Sequence, residues 1–340
     1  MTRLPLAPQR ILCVAPNWVG DSLFFLPAVD ALRRRFPQAR LDLIARPGIA
    51  SLLKDGGRFD QVKVLASGAG RWARFGAFWA LRRESYDLAV LFPDSFSMAL
   101  GAFLSGAKIR VGRQGEGRSL FLSPGYRLPA RRRQIHVVDE YLELAQACGA
   151  GAEGQRQPQL PPSAQAAEEA RQLFDGAGLG KAKVIGLCPT SAYGPSKQWP
   201  AEHWVRLARD LAAKNFEVAF FCAPNELEPV KTMAGLAGAT PVLAPSLPGL
   251  AACLAACEAV VANDSGPLHL AAAVGARCLG LYGPVDPKWS APVSPRADWL
   301  YRGLDCSPCH ARVCPLGHHD CLQGMEPAQV MSALLELLKR

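Results

Sequence analysis

The chain predicts an α/β fold built as two parallel sheets, each with helices on both faces, joined by a linker. Three observations predict it. Apolar strand-like runs alternate with amphipathic helix-like runs throughout the chain. Residues 149–162 interrupt this pattern with Gly, Gln and Pro and few large apolar side chains. Beyond them the alternation starts again. Parallel strands need a crossover long enough to hold a helix, so alternation of this kind reads as a parallel sheet. Two such units would present facing sheet edges across a cleft. At 340 residues the chain is long enough for two separate cores. We place the domains at 1–150 and 151–340.

In the first domain, residues 11–15 are an apolar strand. Residues 16–22, Pro-Asn-Trp-Val-Gly-Asp-Ser, turn the chain into an amphipathic stretch at 22–35. Strands follow at 41–45, 62–65 and 88–92, with a second amphipathic stretch at 71–83. In the second domain the strands are 184–188, 218–222, 259–262 and 278–282. Asn263-Asp264-Ser265-Gly266 is a sharp turn. Pro267 suits the first turn of a helix, where its missing N–H costs nothing. Small residues at 268–274 continue that helix, Gly275 ends it, and Gly283-Pro284 closes the last strand. No solenoid repeat or low-complexity tract is present.

Composition narrows the class. Hydrophobic residues make up 49% and charged residues 20%, a globular balance. No apolar run reaches the length of a membrane span; the longest, 250–262, contains Glu258. Arg3 and Arg10 lead directly into a strand without a small-residue cleavage site, so no signal peptide is expected. There are 11 cysteines, most in core-like runs, which suits a reducing cytosol. Residues 1–150 hold 22 Lys and Arg against 12 Asp and Glu, a net of +10. Residues 151–340 hold 16 against 17, a net of −1. A basic first half points to an anionic partner or to plain solubility. Nucleic acid is not the expected partner, because helix-turn-helix cues, zinc-finger spacing and aromatic-rich RNA motifs are missing.

Asp264, Ser265 and His269 fall at a strand-to-helix junction, the carboxyl edge of a parallel sheet. Ligands bind at that edge, and a helix N-terminus there attracts phosphate or carboxylate. The competing reading is that Asp264 or Ser265 caps the helix and His269 packs. Asp21 sits at the matching junction of the first domain and either caps a helix or acts as a general base. Thr190, Ser191 and Lys197 follow strand 184–188 in a Gly-containing loop that could cradle a diphosphate, although the spacing is not that of a P-loop. Glu226 and Glu228 follow strand 218–222, where a carboxylate can accept bonds from ribose hydroxyls or complement a helix dipole. Register favours Glu228. Arg113, Arg118 and the run Arg131-Arg132-Arg133 lie outside obvious core strands and are candidates for an exposed anion site. Cys306, Cys309, Cys314 and Cys321 form C-x2-C-x4-C-x6-C, with His310, His318 and His319 interleaved. This spacing fits structural zinc, reduced thiols or a local disulfide.

The motifs bear a resemblance that covers almost the whole chain in order. DSGPLHLAAAVG followed by LYGP resembles the donor-site motif of the lipopolysaccharide heptosyltransferases, glycosyltransferase family 9. The segment Pro16 to Ser22 resembles the family's first motif. LFPDSFSMAL at 91–100 and the tail CSPCHARVCPLGHHDC are similar to family segments, with Asp94 where the pattern has Asn. The resemblance implies a GT-B architecture of two Rossmann-like domains, with acceptor bound by the first and donor by the second. It implies inverting transfer of L-glycero-D-manno-heptose from ADP-heptose to the phosphorylated Kdo-lipid A inner core. Asp21 would be the base. Thr190, Ser191, Lys197, Glu228, Asp264, Ser265, Gly266 and His269 would bind donor, and the five arginines acceptor. The family has no required cofactor, and zinc at the four cysteines is the lesser expectation. The resemblance also implies a cytoplasmic enzyme in peripheral contact with the inner membrane. Within the family, a heptosyltransferase of type I or III is the runner-up; rivals from other classes are an epimerase, which lacks its G-x-G-x-x-G fingerprint here, and a non-catalytic anion-binding module.

Overall fold

The computed structural model describes residues 7–65, 70–130, 133–151, 156–180, 183–243 and 246–340. The chain divides into two units, Met1–Pro158 and Gln159–Arg340.

The first unit holds strands β1 (Arg10–Val14), β2 (Arg40–Ala45), β3 (Gln61–Val64), β4 (Leu88–Leu91), β5 (Ile109–Arg113) and β6 (Arg127–Leu128). They pair in the order β3-β2-β1-β4-β5-β6, and every pair is parallel. Cys13 of β1 registers with Leu43 on one side and Val90 on the other. Strands covered on both faces must be apolar throughout, which is why β1, β2 and β4 were legible as runs. β5 was not, because Arg110, Gly112 and Arg113 break its run.

The helical stretch expected at 22–35 is two helices, Val19–Phe24 and Leu26–Arg35, with Pro27 in the first turn of the second. The stretch expected at 71–83 is a helix over Arg71–Ala80 followed by a 3-10 turn, Leu81–Glu84. Phe78 of that helix is fully buried against Gly101. A Cβ on Gly101 would come within 2.5 Å of the Phe78 ring, so this crossing needs a glycine.

The second unit repeats the plan with β7 (Val184–Cys188), β8 (Glu217–Cys222), β9 (Thr240–Leu243), β10 (Ala259–Asn263), β11 (Cys278–Tyr282) and β12 (Ala297–Tyr301). Their order is β12-β11-β10-β7-β8-β9, again all parallel. Its core joins Leu187, Phe220, Val261 and Leu281 to Trp199, Trp204 and the C-terminal helix Pro327–Lys339 through Leu334. The helix after β10 runs Gly266–Ala273 with Pro267 in its first turn, as the sequence predicts, and Gly275 follows at φ +83°. Among the described residues, no helix is long and apolar enough to cross a membrane.

Candidate active site

In each unit the strand order reverses between two neighbours, β1 and β4 in the first and β7 and β10 in the second. Crossovers leave to opposite faces at such a point and open a crevice at the carboxyl ends of the strands. Asp21 and Asp94 lie at the first of these points, and Lys197 and Asp264 at the second.

Asp21 lies just past β1, half-buried, in the first turn of helix Val19–Phe24. Trp18 is the N-cap, and its side chain makes no capping bond. Asp94 lies just past β4, the neighbouring strand. Burial first, then the fields of Asp21 and Asp94, push the buried Tyr141 phenol well above its ordinary value. Asp21, Asp94 and Glu140 thus act on one buried phenol. Asp94 is paired by Arg118 at 3.3 Å.

The arginines correct an expectation. Arg113 belongs to β5 and is buried, donating to the carbonyls of Pro129 and Glu140 and to the Glu143 carboxylate. Arg118 is also buried, donating to the carbonyls of Arg113 and Gln114. A guanidinium left unpaired in a core is costly, so both bond internal carbonyls and carboxylates rather than being displayed. They form no exposed cluster. Arg133 is exposed. Arg131 and Arg132 lie outside the described residues.

In the second unit, Lys197 lies in the 3-10 turn Pro195–Lys197 after β7, and Asp264 follows β10. Their side chains meet at 2.5 Å, both largely buried. His269 Nε2 is 3.6 Å from the other Asp264 oxygen. Burial raises the Asp264 carboxyl, but Lys197 and His269 outweigh it and hold the group below the ordinary carboxylate range. Asp264 is therefore an ion-pair partner rather than a helix cap, and Ser265, the N-cap residue, makes no side-chain capping bond either. The hydroxyls of Ser191 and Ser265 are buried without a hydrogen-bond partner among the described residues. Buried hydroxyls are normally satisfied, so two orphans beside a helix N-terminus suit a ligand.

Asn263 sets this geometry. Its Nδ2 donates to the Pro189 carbonyl at 2.7 Å, and its Oδ1 accepts from the Trp199 N–H at 3.1 Å. One side chain thus holds both ends of the Thr190–Ser191–Lys197 loop to the end of β10.

Thr190 donates to Glu226, not Glu228, at 2.8 Å. Glu228 is exposed and pairs with Lys231. The structure thus brings Glu226 to the loop and leaves Glu228 outside that contact. The preference for Glu228 by register therefore does not match the contact the structure makes.

Sequence reasoning missed Tyr193 and Arg312. Lys197 Nζ lies 4.7 Å from the Tyr193 ring centroid, and the Arg312 guanidinium lies 5.5 Å from it. The Tyr193 hydroxyl donates to the His310 carbonyl, Ser196 Oγ to that of Ala311 and the Ser196 N–H to that of Arg312. Gly194, at φ +150°, passes so close that a Cβ would sit 2.6 Å from the Arg312 carbonyl. The cysteine-rich tail therefore buttresses the loop carrying Lys197. The pairing of Tyr193-Gly194-Pro195 with the tail was invisible in one dimension.

All eleven cysteines are free thiols. Among the described residues, no three His, Cys, Asp or Glu side chains are arranged to hold a metal ion. Instead the backbone N–H of His319, with those of Leu316, Gly317 and His318, draws the Cys314 thiol below its ordinary value.

Fold and site together define the class: an α/β protein of GT-B architecture with an anion-ready edge in its second unit. The model of glycosyltransferase family 9 (heptosyltransferase) matches residues 74–319. Lipopolysaccharide heptosyltransferase 2 of Salmonella typhimurium is 31% identical, over 97% of this chain and 99% of its own. Lipopolysaccharide heptosyltransferase 1 of Escherichia coli is 28% identical over 82% of this chain and 89% of its own. The solved E. coli ADP-heptose LPS heptosyltransferase II superposes with a TM-score of 0.81 at 27% identity, covering 97% of this chain and 98% of that one. The chain belongs to glycosyltransferase family 9 and is a glycosyltransferase.

Proposed function

We propose that this enzyme moves L-glycero-D-manno-heptose from ADP-heptose to the heptosylated, phosphorylated Kdo-lipid A inner core of lipopolysaccharide, as a heptosyltransferase II. Membership of the family supports the reaction, and near-complete coverage of relatives named heptosyltransferase 2 supports the subtype. The single structural observation that carries it is the Lys197–Asp264–His269 cluster at the switch point of the second sheet.

In this reading the donor diphosphate meets Lys197 and the N–H groups at Ser265 and Gly266, the start of an eight-residue helix. These groups neutralise charge as ADP departs, which lowers the barrier most when they are already fixed in place. Asp264 orients Lys197, while Thr190 with Glu226, Ser191 and His269 contact phosphate or sugar. Asp21 takes the proton from the attacking acceptor hydroxyl. A nucleoside diphosphate leaves readily, so one carboxylate suffices, and inversion follows from a single in-line displacement. With Lys197 and helix amides on the diphosphate, the reaction needs no cofactor. The enzyme works in the cytoplasm against the inner membrane, where such an acceptor is anchored. Exposed Arg133, with its neighbours Arg131 and Arg132, attracts acceptor phosphates.

The subtype is tested by following ADP release from ADP-heptose with a panel of truncated acceptors. Release is expected with an acceptor that already carries one heptose and only weakly with the Kdo-only form. Preference for the Kdo-only acceptor would make the enzyme a heptosyltransferase I.

A further inference from the structure

The helix Arg71–Ala80 is docked by one face and open on the other. Phe78 is fully buried, while Trp72 is 82% and Trp79 57% exposed. Ala73, Gly76 and Ala80 share that exposed face, so the stripe at i, i+4 and i+7 contains no charge. Exposed Trp pairs are not expected on a helix that meets only water. The flanks are cationic. Arg74 is half-buried, Arg82 and Arg83 are exposed, and the Arg82 guanidinium lies over the Trp79 ring at 4.5 Å. The nearest acid in sequence, Glu84, is already paired by Lys63 and Arg40.

A groove of about 990 Å³ runs beside this helix. Trp72, Arg74 and Phe75 of the helix line it, together with Asp94, Ser95 and Phe96, just past β4, and Glu116. The apolar stripe is thus continuous with the strand edge that carries Asp94.

We propose that the Trp72–Trp79 face of this helix is the surface that lies on an anionic bilayer. The proposal rests on the reading of a lipid-anchored acceptor and names the surface that reading requires. Indole rings prefer the headgroup level, where an apolar body and a polar N–H are both satisfied. Arginines beside them reach lipid phosphates. Ala73, Gly76 and Ala80 leave a shallow face between the two rings, suited to a plane rather than to a partner's pocket. The helix is too short to span and lies in the interface. So placed, it brings the groove, and with it the strand edge holding Asp94, against the membrane that carries the acceptor.

The test is flotation with vesicles of phosphatidylethanolamine and phosphatidylglycerol, compared with phosphatidylcholine alone. The wild-type chain is expected to float with the anionic vesicles. Trp72→Ser with Trp79→Ser should weaken that binding by about ten-fold or more. The same variant should keep its melting temperature and its ADP release with a soluble, delipidated acceptor. Arg82→Gln with Arg83→Gln should lose the preference for anionic lipid. Wild type that ignores vesicles, or a Trp variant that binds as wild type does, would overturn the proposal. So would a concentration-dependent dimer that the Trp substitutions abolish, since the face would then join two copies of the chain. The flotation arm uses neither donor nor acceptor, so failed transfer with intact vesicle binding would count against the enzymatic reading alone.

Discussion

Asp21→Asn is expected to lower turnover by about a hundred-fold to ten-thousand-fold, the range for loss of a general base, while ADP affinity stays unchanged. Asn keeps the size and one acceptor oxygen of Asp but takes no proton. Asp21 stands at the switch point of the first sheet, in the first turn of its helix, and shares the field on Tyr141 with Asp94. The donor cluster is built from other strands, so the substitution should leave it intact. Turnover is measured by ADP release and donor affinity by calorimetry. Turnover within a few-fold of wild type would remove Asp21 from the role, and Asp94 would then be the carboxylate to test.

Lys197→Ala should act on both binding and folding. A charged hydrogen bond to phosphate contributes about 1.5–3 kcal/mol, so ADP affinity should fall roughly ten-fold to a hundred-fold. Turnover should fall further, because charge on the diphosphate grows in the transition state. The substitution also leaves Asp264 buried without its cation, which typically costs about 3–5 kcal/mol of stability. Lys197→Ala with Asp264→Asn separates the two effects. The double variant should regain much of the stability but not the ADP affinity. Unchanged ADP binding and unchanged turnover in the single variant would exclude Lys197 from the site. The pair also fixes a pH dependence. The Asp264 carboxyl is held below its ordinary value in the folded chain, so its contribution is present above the unfolded carboxylate pKa. It should therefore decline as pH falls through the ordinary carboxylate range and be gone once pH has passed the lower, folded value.

Much of the fold was legible because central parallel strands are buried on both faces and must be apolar. Strands β7 and β11 fall where the sequence places them, at Val184–Cys188 and Cys278–Tyr282. The strands missed sit toward the sheet margins. β5 carries Arg110 and Arg113, whose charges are answered by internal carbonyls and by Glu143. β9 carries Pro241, which an edge strand tolerates because one side needs no N–H. β12 is an edge strand of half-buried residues, including Asp298 and a largely exposed Trp299.

Lys197, Asp264 and His269, which the structure brings together, were legible as candidates because they follow strands at the edge of the second sheet, and Asp21 as the carboxylate at the matching junction of the first. Register favoured Glu228, whereas the structure brings Glu226 to Thr190, 36 residues away, a contact that register does not see. Tyr193 and Arg312 depend on a contact between loop and tail, 117 residues apart at Tyr193 and His310. The arginines show the opposite error. A charge count registers Arg113 and Arg118 as surface charge, and only the packing reveals that they are structural.

We propose inverting heptosyl transfer with Asp21 as the base and Lys197 as the diphosphate anchor. The most direct measurement is the anomeric configuration of the product, read by NMR alongside released ADP, with ADP-heptose and the monoheptosylated acceptor. One ADP is expected per heptose transferred, with a new linkage of configuration opposite to the donor's. Retained configuration, or ADP formed without a glycosylated product, would contradict it.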